Sequence, residues 1–311
     1  MKKRTINIVD DGYFLLNEHQ NFRFDKNIAK KFLEKIQFPI IILDTEFFNH
    51  SHDSGDLKNK LYSDKQKDIV YVIQYSFAKS FKEIAYRDNS KAIKSIFIKR
   101  GLNDKTYNFH EQYSRMITSF LSMCRNKEIK TIICAGASND IKIINQWIND
   151  YKHLFARRSL NMAFLNKEKN ELNANYFDIY EILENAFSFS NTNAIGEEFY
   201  NPKNLPVGKQ SDQMIALTSC KKFFDWFESI DNKILKNEDD EIRSLCTMAY
   251  SFFSFPNNEK MSYDIYKNMI EVLRKVVVHC YNDVLKILTF LGFVYEFVYL
   301  PYSKNTFIKK D

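Results

Sequence analysis

Residues Phe38–Phe48 read FPIIILDTEFF, and the fold turns on how they are read. Pro39 closes off what precedes it. Ile40, Ile41, Ile42 and Leu43 form an unbroken apolar run, the pattern of a strand buried on both faces. Asp44 and Glu46 follow, with Thr45 between them. Residues two apart on a strand point to the same side, so both carboxylates project from one face near the strand's C-terminal end. Neighbouring acids repel. A divalent cation such as Mg2+ or Mn2+, which prefers oxygen ligands, relieves that repulsion. The alternative is a strand that stops at Leu43 and leaves the acids solvated in a loop.

The chain has 311 residues, 45% of them hydrophobic, which suffices for one large domain or two modest ones. A charged fraction of 27% argues against wholesale disorder. With only 7 Gly and 5 Pro, long helices and polar loops are expected. The net charge of +6 is compatible with a nucleic-acid partner, although codon bias toward Lys produces the same excess. Cys124, Cys134, Cys220, Cys246 and Cys280 form no CxxC pair, which predicts reduced, mostly buried thiols in a cytoplasmic protein. The N-terminal MKKRTINIVDDGYF reaches Asp10 and Asp11 before any apolar stretch of signal-peptide length. Val276–Leu300 is the most apolar window. It carries His279, Asn282, Asp283, Lys286 and Glu296, which predicts a core helix and no membrane span.

Residues 1–37 read as an N-terminal extension, with a hairpin around Ile6–Leu16 and a helix near Asn27–Ile36 whose polar side carries Lys30, Lys31 and Lys35. After Phe48 comes a long polar loop, Asn49–Asp68, containing His50, His52, Asp53 and four lysines, Lys58, Lys60, Lys65 and Lys67. Ile69–Lys79 alternates as a second strand and Ile93–Lys99 reads as a third, with Ile84–Tyr86 a shorter candidate. Phe109–Cys124 has helical periodicity. Lys130–Gly136 is a further buried strand, and SNDIKIINQWI follows with Ser138 or Asn139 as N-cap. Asp140 then lies in the first turn of a helix, a place that also suits an Asp through the helix dipole alone. Leu160–Leu165 reads as an edge strand, and Asn175–Phe187 as a short strand running into a helix with Asp178 at the junction. Asn193–Gln210 is loop-like; its LPVGKQS lacks the first Gly and the Ser or Thr of a phosphate loop. Helices are expected over Asp212–Glu228 and Asp239–Phe253, and from Tyr263 toward the last helix, which contains VVVHCYNDVLKIL. His279 and Asp283 are four apart and share one helix face. Two readings stand: a buried His bonded to its helix neighbour, or a metal-ligating Asp beside a general-base His.

In this order the motifs resemble the DEDD superfamily of 3′–5′ exonucleases, in its histidine-type subgroup. Asp44 and Glu46 of IILDTEFF fall on the first motif, Asp140 of ICAGASNDIKII on the second, and Asp283 of HCYNDVLKIL on the last, with His279 on the general base. Asp178 of DIYEIL falls where the family often has an acid that is not a metal ligand. The resemblance implies an α/β fold, an RNase H-like mixed sheet flanked by helices, spanning residues 38–311 with a helical insertion at about 188–275. It also implies hydrolysis of single-stranded RNA or DNA, RNA slightly favoured, to nucleoside 5′-monophosphates. Asp44, Glu46, Asp140 and Asp283 would hold two Mg2+ or Mn2+ ions.

Two features depart from the family pattern. Three residues separate His279 from Asp283, where the histidine subgroup has four, and the segment between DIYEIL and His279 is unusually long. These motivate a different class of function, an inactive module of the same fold that binds nucleic acid or protein. An endonuclease of similar metal chemistry is a third reading. Phe47 and Phe48 read either as base-stacking groups or as core, and the lysines of the Asn49–Asp68 loop with Arg157 and Arg158 as groups that neutralise a phosphate backbone.

Overall fold

In a computed structural model of the chain, residues 7–10, 13–17, 20–48, 61, 68–136, 138–155, 173–190 and 242–299 are described. The first of them form antiparallel strands β1 (Asn7–Asp10), β2 (Tyr13–Asn17) and β3 (Gln20–Phe24), the expected hairpin extended by one strand. Helix α1 (Lys26–Lys35) follows at once, because Asp25 accepts from the backbone N–H groups of Asn27 and Ile28 at 2.9 Å each.

The apolar run becomes β4 (Ile40–Phe48), which continues unbroken through Asp44 and Glu46. The acids therefore lie on a strand and not in a loop. Strand β5 (Ile69–Ala78) pairs antiparallel with β4 and β6 (Lys94–Phe97) antiparallel with β5. On the other side, β7 (Thr131–Cys134) runs parallel to β4, and β8 (Tyr176–Asp178) parallel to β7. The result is a mixed five-stranded sheet in the order β6-β5-β4-β7-β8, with β4 at its centre and β5 alone opposed to the rest. A last strand, β9 (Phe187–Ser190), pairs with β3 and completes a second, four-stranded sheet.

Helices cover both faces of the central sheet. Residues Ile84–Tyr86, read above as a short strand candidate, lie in helix α2 (Phe81–Tyr86). Ser80 Oγ caps it by accepting from Glu83 N–H, and Glu83 Oε2 accepts from the N–H of Lys79, just before the cap; these bonds override the β-like composition. Helix α3 (Asn89–Ala92) is a single turn. Helices α4 (Phe109–Asn126) and α5 (Ser138–Asp150) lie close to their expected positions, although Ser138 is the first helical residue and so does not stand at the cap. Helix α6 (Tyr180–Ala186) follows β8 as expected, α7 (Ile242–Ser254) occupies part of the proposed insertion, and α8 (Tyr263–Tyr299) ends the described chain. Helix α8 passes through Lys275 without a break, so no structural boundary falls where the insertion was expected to end. The edge strand over Leu160–Leu165 and the helix over Asp212–Glu228 lie outside the described residues.

Alternation along β4 divides its side chains between two cores. Ile41 and Leu43 pack with α4, α5 and α7, through Phe120, Ile144, Trp147 and Phe253. Ile40 and Ile42 pack with α1, α6 and the C-terminal half of α8, through Leu33, Leu183, Leu288 and Leu291. Residues 24–36 thus belong to the interior: Phe24, Ala29, Leu33 and Ile36 are all buried, while Lys30, Lys31 and Lys35 face outward. Helix α8 passes the length and hydropathy test for a membrane span, and 67% of its most apolar window is buried inside the fold. That burial explains its composition, since Val284, Ile287, Leu288, Leu291 and Val294 face the sheet side.

One buried cation ties α7 to the sheet. Arg100, only 7% exposed, donates from Nη1 to the carbonyls of Phe252 and Phe253 at 2.9 and 3.1 Å, and from Nη2 to Asn257 Oδ1 at 3.1 Å. It lies at the C-terminal end of α7, where carbonyls lack helical partners and the dipole favours a cation. Arg100→Met is expected to destabilise the protein by about 3 kcal/mol, because it strands buried acceptors that now pair with a charged donor. Urea denaturation checks this; an unchanged midpoint would contradict it.

Candidate metal centre

The site forms where α8 crosses the face of β4 that carries Asp44 and Glu46. Three side-chain contacts set how that helix sits. Gln74 lies opposite Asp44 in the strand register and is fully buried. Its Nε2 donates to the Val277 carbonyl at 3.2 Å, while its Oε1 accepts from Ser95 Oγ at 2.8 Å. The Cys280 thiol donates to the Asp44 carbonyl at 3.3 Å. The Tyr281 hydroxyl donates to the Ser90 carbonyl at 2.8 Å, a bond that turns Tyr281 away from any role beside Asp283. With the helix so fixed, His279 Nε2 lies 3.9 Å from Glu46 Oε1 and 3.5 Å from Asp283 Oδ2.

Asp140 arrives from the opposite side of the sheet. Thr45 alternates away from its two acidic neighbours and meets the first turn of α5, where its Oγ1 donates to Asp140 Oδ1 at 2.5 Å. The turn leading into α5 is itself pinned. Asp178 Oδ1 accepts from the N–H groups of Gly136 and Tyr180 at 3.1 and 3.0 Å. Gly136 has φ +71°, and a Cβ there would meet the Tyr180 ring at 3.1 Å, so the position suits glycine on both counts. Asp178 thus braces the β7–α5 turn.

Of the residues expected from the sequence, Asp44 and Glu46 feel the charges of Asp140 and Asp283, and His279 lies beside Glu46 and Asp283. Burial, then the charges of Asp283, Asp140 and Glu46, push the Asp44 carboxyl well above its usual range. Burial and the charges of Asp283 and Asp140 push Glu46 up to about 8, against a small opposing effect from the Cys246 thiol. Burial lifts Asp140 to about 6, and the Thr45 hydrogen bond holds it lower than burial alone would. One counter-charge is built in: Lys286, its side chain only 3% exposed, places Nζ 2.9 Å from Asp283 Oδ1. The ligand atoms of Asp44, Glu46 and Cys280 all lie within 4.8 Å of one another. A donor set dominated by carboxylates that resist shared ionisation fits a hard divalent cation, which would supply the missing positive charge.

Helix α7 walls off one side. Cys246 Sγ lies 3.8 Å from Glu46 Oε2 and 3.0 Å from the Tyr71 hydroxyl. Tyr71 is the extra residue of a bulge in β5, where the pairing slips between Glu46 and Phe47. Phe48 is fully buried and stacks on Tyr71 at 4.0 Å between ring centroids, with Tyr250 edge-on at 5.4 Å. The base-stacking reading of Phe48 is therefore corrected: the ring is fully buried in the core. Phe47 is half-buried and packs against the same core. The lysines of the Asn49–Asp68 loop, His50, His52, Asp53, Arg157 and Arg158 lie outside the described residues.

Gln74, Thr45, Cys246 and Lys286 are site neighbours that sequence reading missed. Lys286 carried a faint signal, a cation three residues after Asp283 and so on the same side of a helix. Thr45 carried another, lodged between two acids. Cys246 and Gln74 had none, since only the tertiary fold brings them near. No protein-family model matches the chain, and no curated protein matches it.

The raised carboxyls make a stability prediction. The folded state holds protons on Glu46 and Asp140 at pH values where the unfolded chain has released them. Folded protein therefore binds more protons, and stability falls as pH rises. In metal-free protein the thermal midpoint should drop between pH 4.5, the ordinary Glu value, and about 8, where Glu46 has ionised. Glu46→Gln should flatten that fall. A midpoint rising steadily across the window would refute the repulsive arrangement.

Proposed function

We propose that this chain is a metal-dependent 3′–5′ exonuclease of single-stranded nucleic acid, RNA slightly favoured over DNA, built on an RNase H-like domain. The observation that carries the reading is the convergence of Asp44 and Glu46 from β4, Asp140 from α5, and His279 with Asp283 from α8. These come from three elements far apart in sequence, in the order of the DEDD motifs. The mixed five-stranded sheet with helices on both faces is compatible with the implied fold. The direction of digestion rests on the resemblance alone.

Asp44, Glu46, Asp140 and Asp283 would hold the two Mg2+ or Mn2+ ions. When bound, these supply Lewis-acid chemistry, activating the attacking water and stabilising the leaving 3′ oxygen. His279 stands between Glu46 and Asp283, with 17% of its side chain exposed, and takes the proton of the attacking water. Its short spacing from Asp283 does not remove it from the site: one helical turn places both groups on the same face. Thr45 Oγ1 holds Asp140 Oδ1 and so orients this carboxylate. Water is restricted by α7 on the Glu46 side. The buried thiols of Cys124, Cys134, Cys246 and Cys280, none of them in a disulfide, suit a reducing, cytoplasmic setting.

The second reading, a binding module without turnover, draws on the Lys286–Asp283 ion pair, which satisfies one acid with no metal. Digestion of 5′-labelled single-stranded RNA and DNA with Mn2+ or EDTA separates the two. A ladder shortening from the 3′ end, dependent on the ion and abolished by Asp44→Ala or Asp140→Asn, is expected. Binding without ion-dependent cleavage would leave the module. His279→Ala should slow cleavage by about 10²–10⁴-fold, the worth of a general base, while leaving Mn2+ binding intact; full activity in that variant would remove His279 from the mechanism.

A further inference from the structure

Lys286 is a buried charge, only 3% exposed. Long cationic side chains are seldom fully buried unless paired, and this one lies between apolar neighbours of the α8 core, Leu285, Ile287 and Val284. Its ammonium donates to Asp283 Oδ1 at 2.9 Å. The other oxygen, Oδ2, faces His279 Nε2 at 3.5 Å. The two carboxylate oxygens are therefore assigned different work. One is occupied by a cation belonging to the protein, and the other faces the histidine.

We infer that Lys286 is a positioning residue that fixes Asp283 as a one-oxygen ligand and holds down the affinity of the site for free divalent ions. The inference rests on the exonuclease reading and deepens it. The physical reason is charge. Lys286 cancels one of the carboxylate charges that would attract an incoming cation, and it does so from a buried position that bulk salt screens poorly. It also spares Asp44 and Glu46 part of the repulsion from Asp283, which is the largest charge effect on each of them. A residue serving only to stabilise the helix would act oppositely when replaced: loss of order at Asp283 would weaken ion binding.

The experiment follows Mn2+ binding to the full chain by electron paramagnetic resonance, without nucleic acid, so that cleavage is not the readout. Lys286→Met removes the charge at similar length, and Lys286→Gln removes it while keeping a donor toward Oδ1. Both are expected to bind Mn2+ about tenfold more tightly than wild type, as loss of a nearby like charge requires. Lys286→Arg is expected to restore wild-type affinity. Unchanged or weaker binding in the neutral variants, or failure of both to fold, overturns the inference and leaves the exonuclease reading standing. A wild-type chain that binds no Mn2+ overturns the metal centre and the inference together.

Discussion

Repulsion between carboxylates is the constraint around which this structure is built. Burial raises the proton affinity of Asp44, Glu46 and Asp140, and the neighbouring acids raise that of Asp44 and Glu46 further. Locally the gathering of acids is offset in part, by Thr45 on Asp140 and by Lys286 on Asp283. It is held by packing elsewhere: β4 is buried on both faces, and α8 is locked across it by Val284, Ile287, Leu288 and Leu291. A buried side chain of that kind contributes about 1.5–3 kcal/mol, so the apolar stretch of α8 has ample stabilisation to offset the strain beside it. Gln74 and Cys280 then convert general packing into a fixed helix rotation, since each bonds a backbone carbonyl across the helix–sheet seam.

Helix α7 bears directly on the site. It brings Cys246 against Glu46, and its aromatic residues close over Phe48 and Tyr71. The bulge in β5 makes this possible by turning Tyr71 out of regular pairing and into that aromatic cluster. Arg100 anchors the far end of the same helix. A segment that reads as an addition to a simpler domain is thus tied into it at both ends of α7, one end at the acids and one at the guanidinium.

Much of the central sheet was legible because its strands are apolar and short of breakers. The run Ile40–Leu43 and the run Thr131–Cys134 could be little else, and both lie within a residue or two of their expected ends. The acids were legible because each stands at the edge of such a run. What composition concealed was local or tertiary. Residues Ile84–Tyr86 look like a strand, yet capping by Ser80, with Glu83 reaching back to the Lys79 N–H, makes them helical. Residues 24–36 look detachable because their lysines are conspicuous, while the four side chains that bury them are ordinary apolar ones. Phe48 could not be assigned from sequence, since stacking on a base and stacking on Tyr71 ask for the same ring. Lys286 was hidden by its surroundings: in an apolar window a single lysine reads as a polar interruption, and its partner is evident only once the helix is seated.

The last helix runs from Tyr263 to Tyr299 as one continuous rod of 37 residues, about 55 Å long at 1.5 Å per residue. Its first turns lie beside α7, its middle carries His279 and Asp283, and its end lies against α1 and Phe24. A rod of that kind is a splint. Trimming the chain back to a minimal core at Lys275 would saw through it in mid-span, fraying the turn just before the histidine. The shortest functional version of this protein accordingly has to begin the helix at Tyr263, however dispensable the stretch preceding it proves to be.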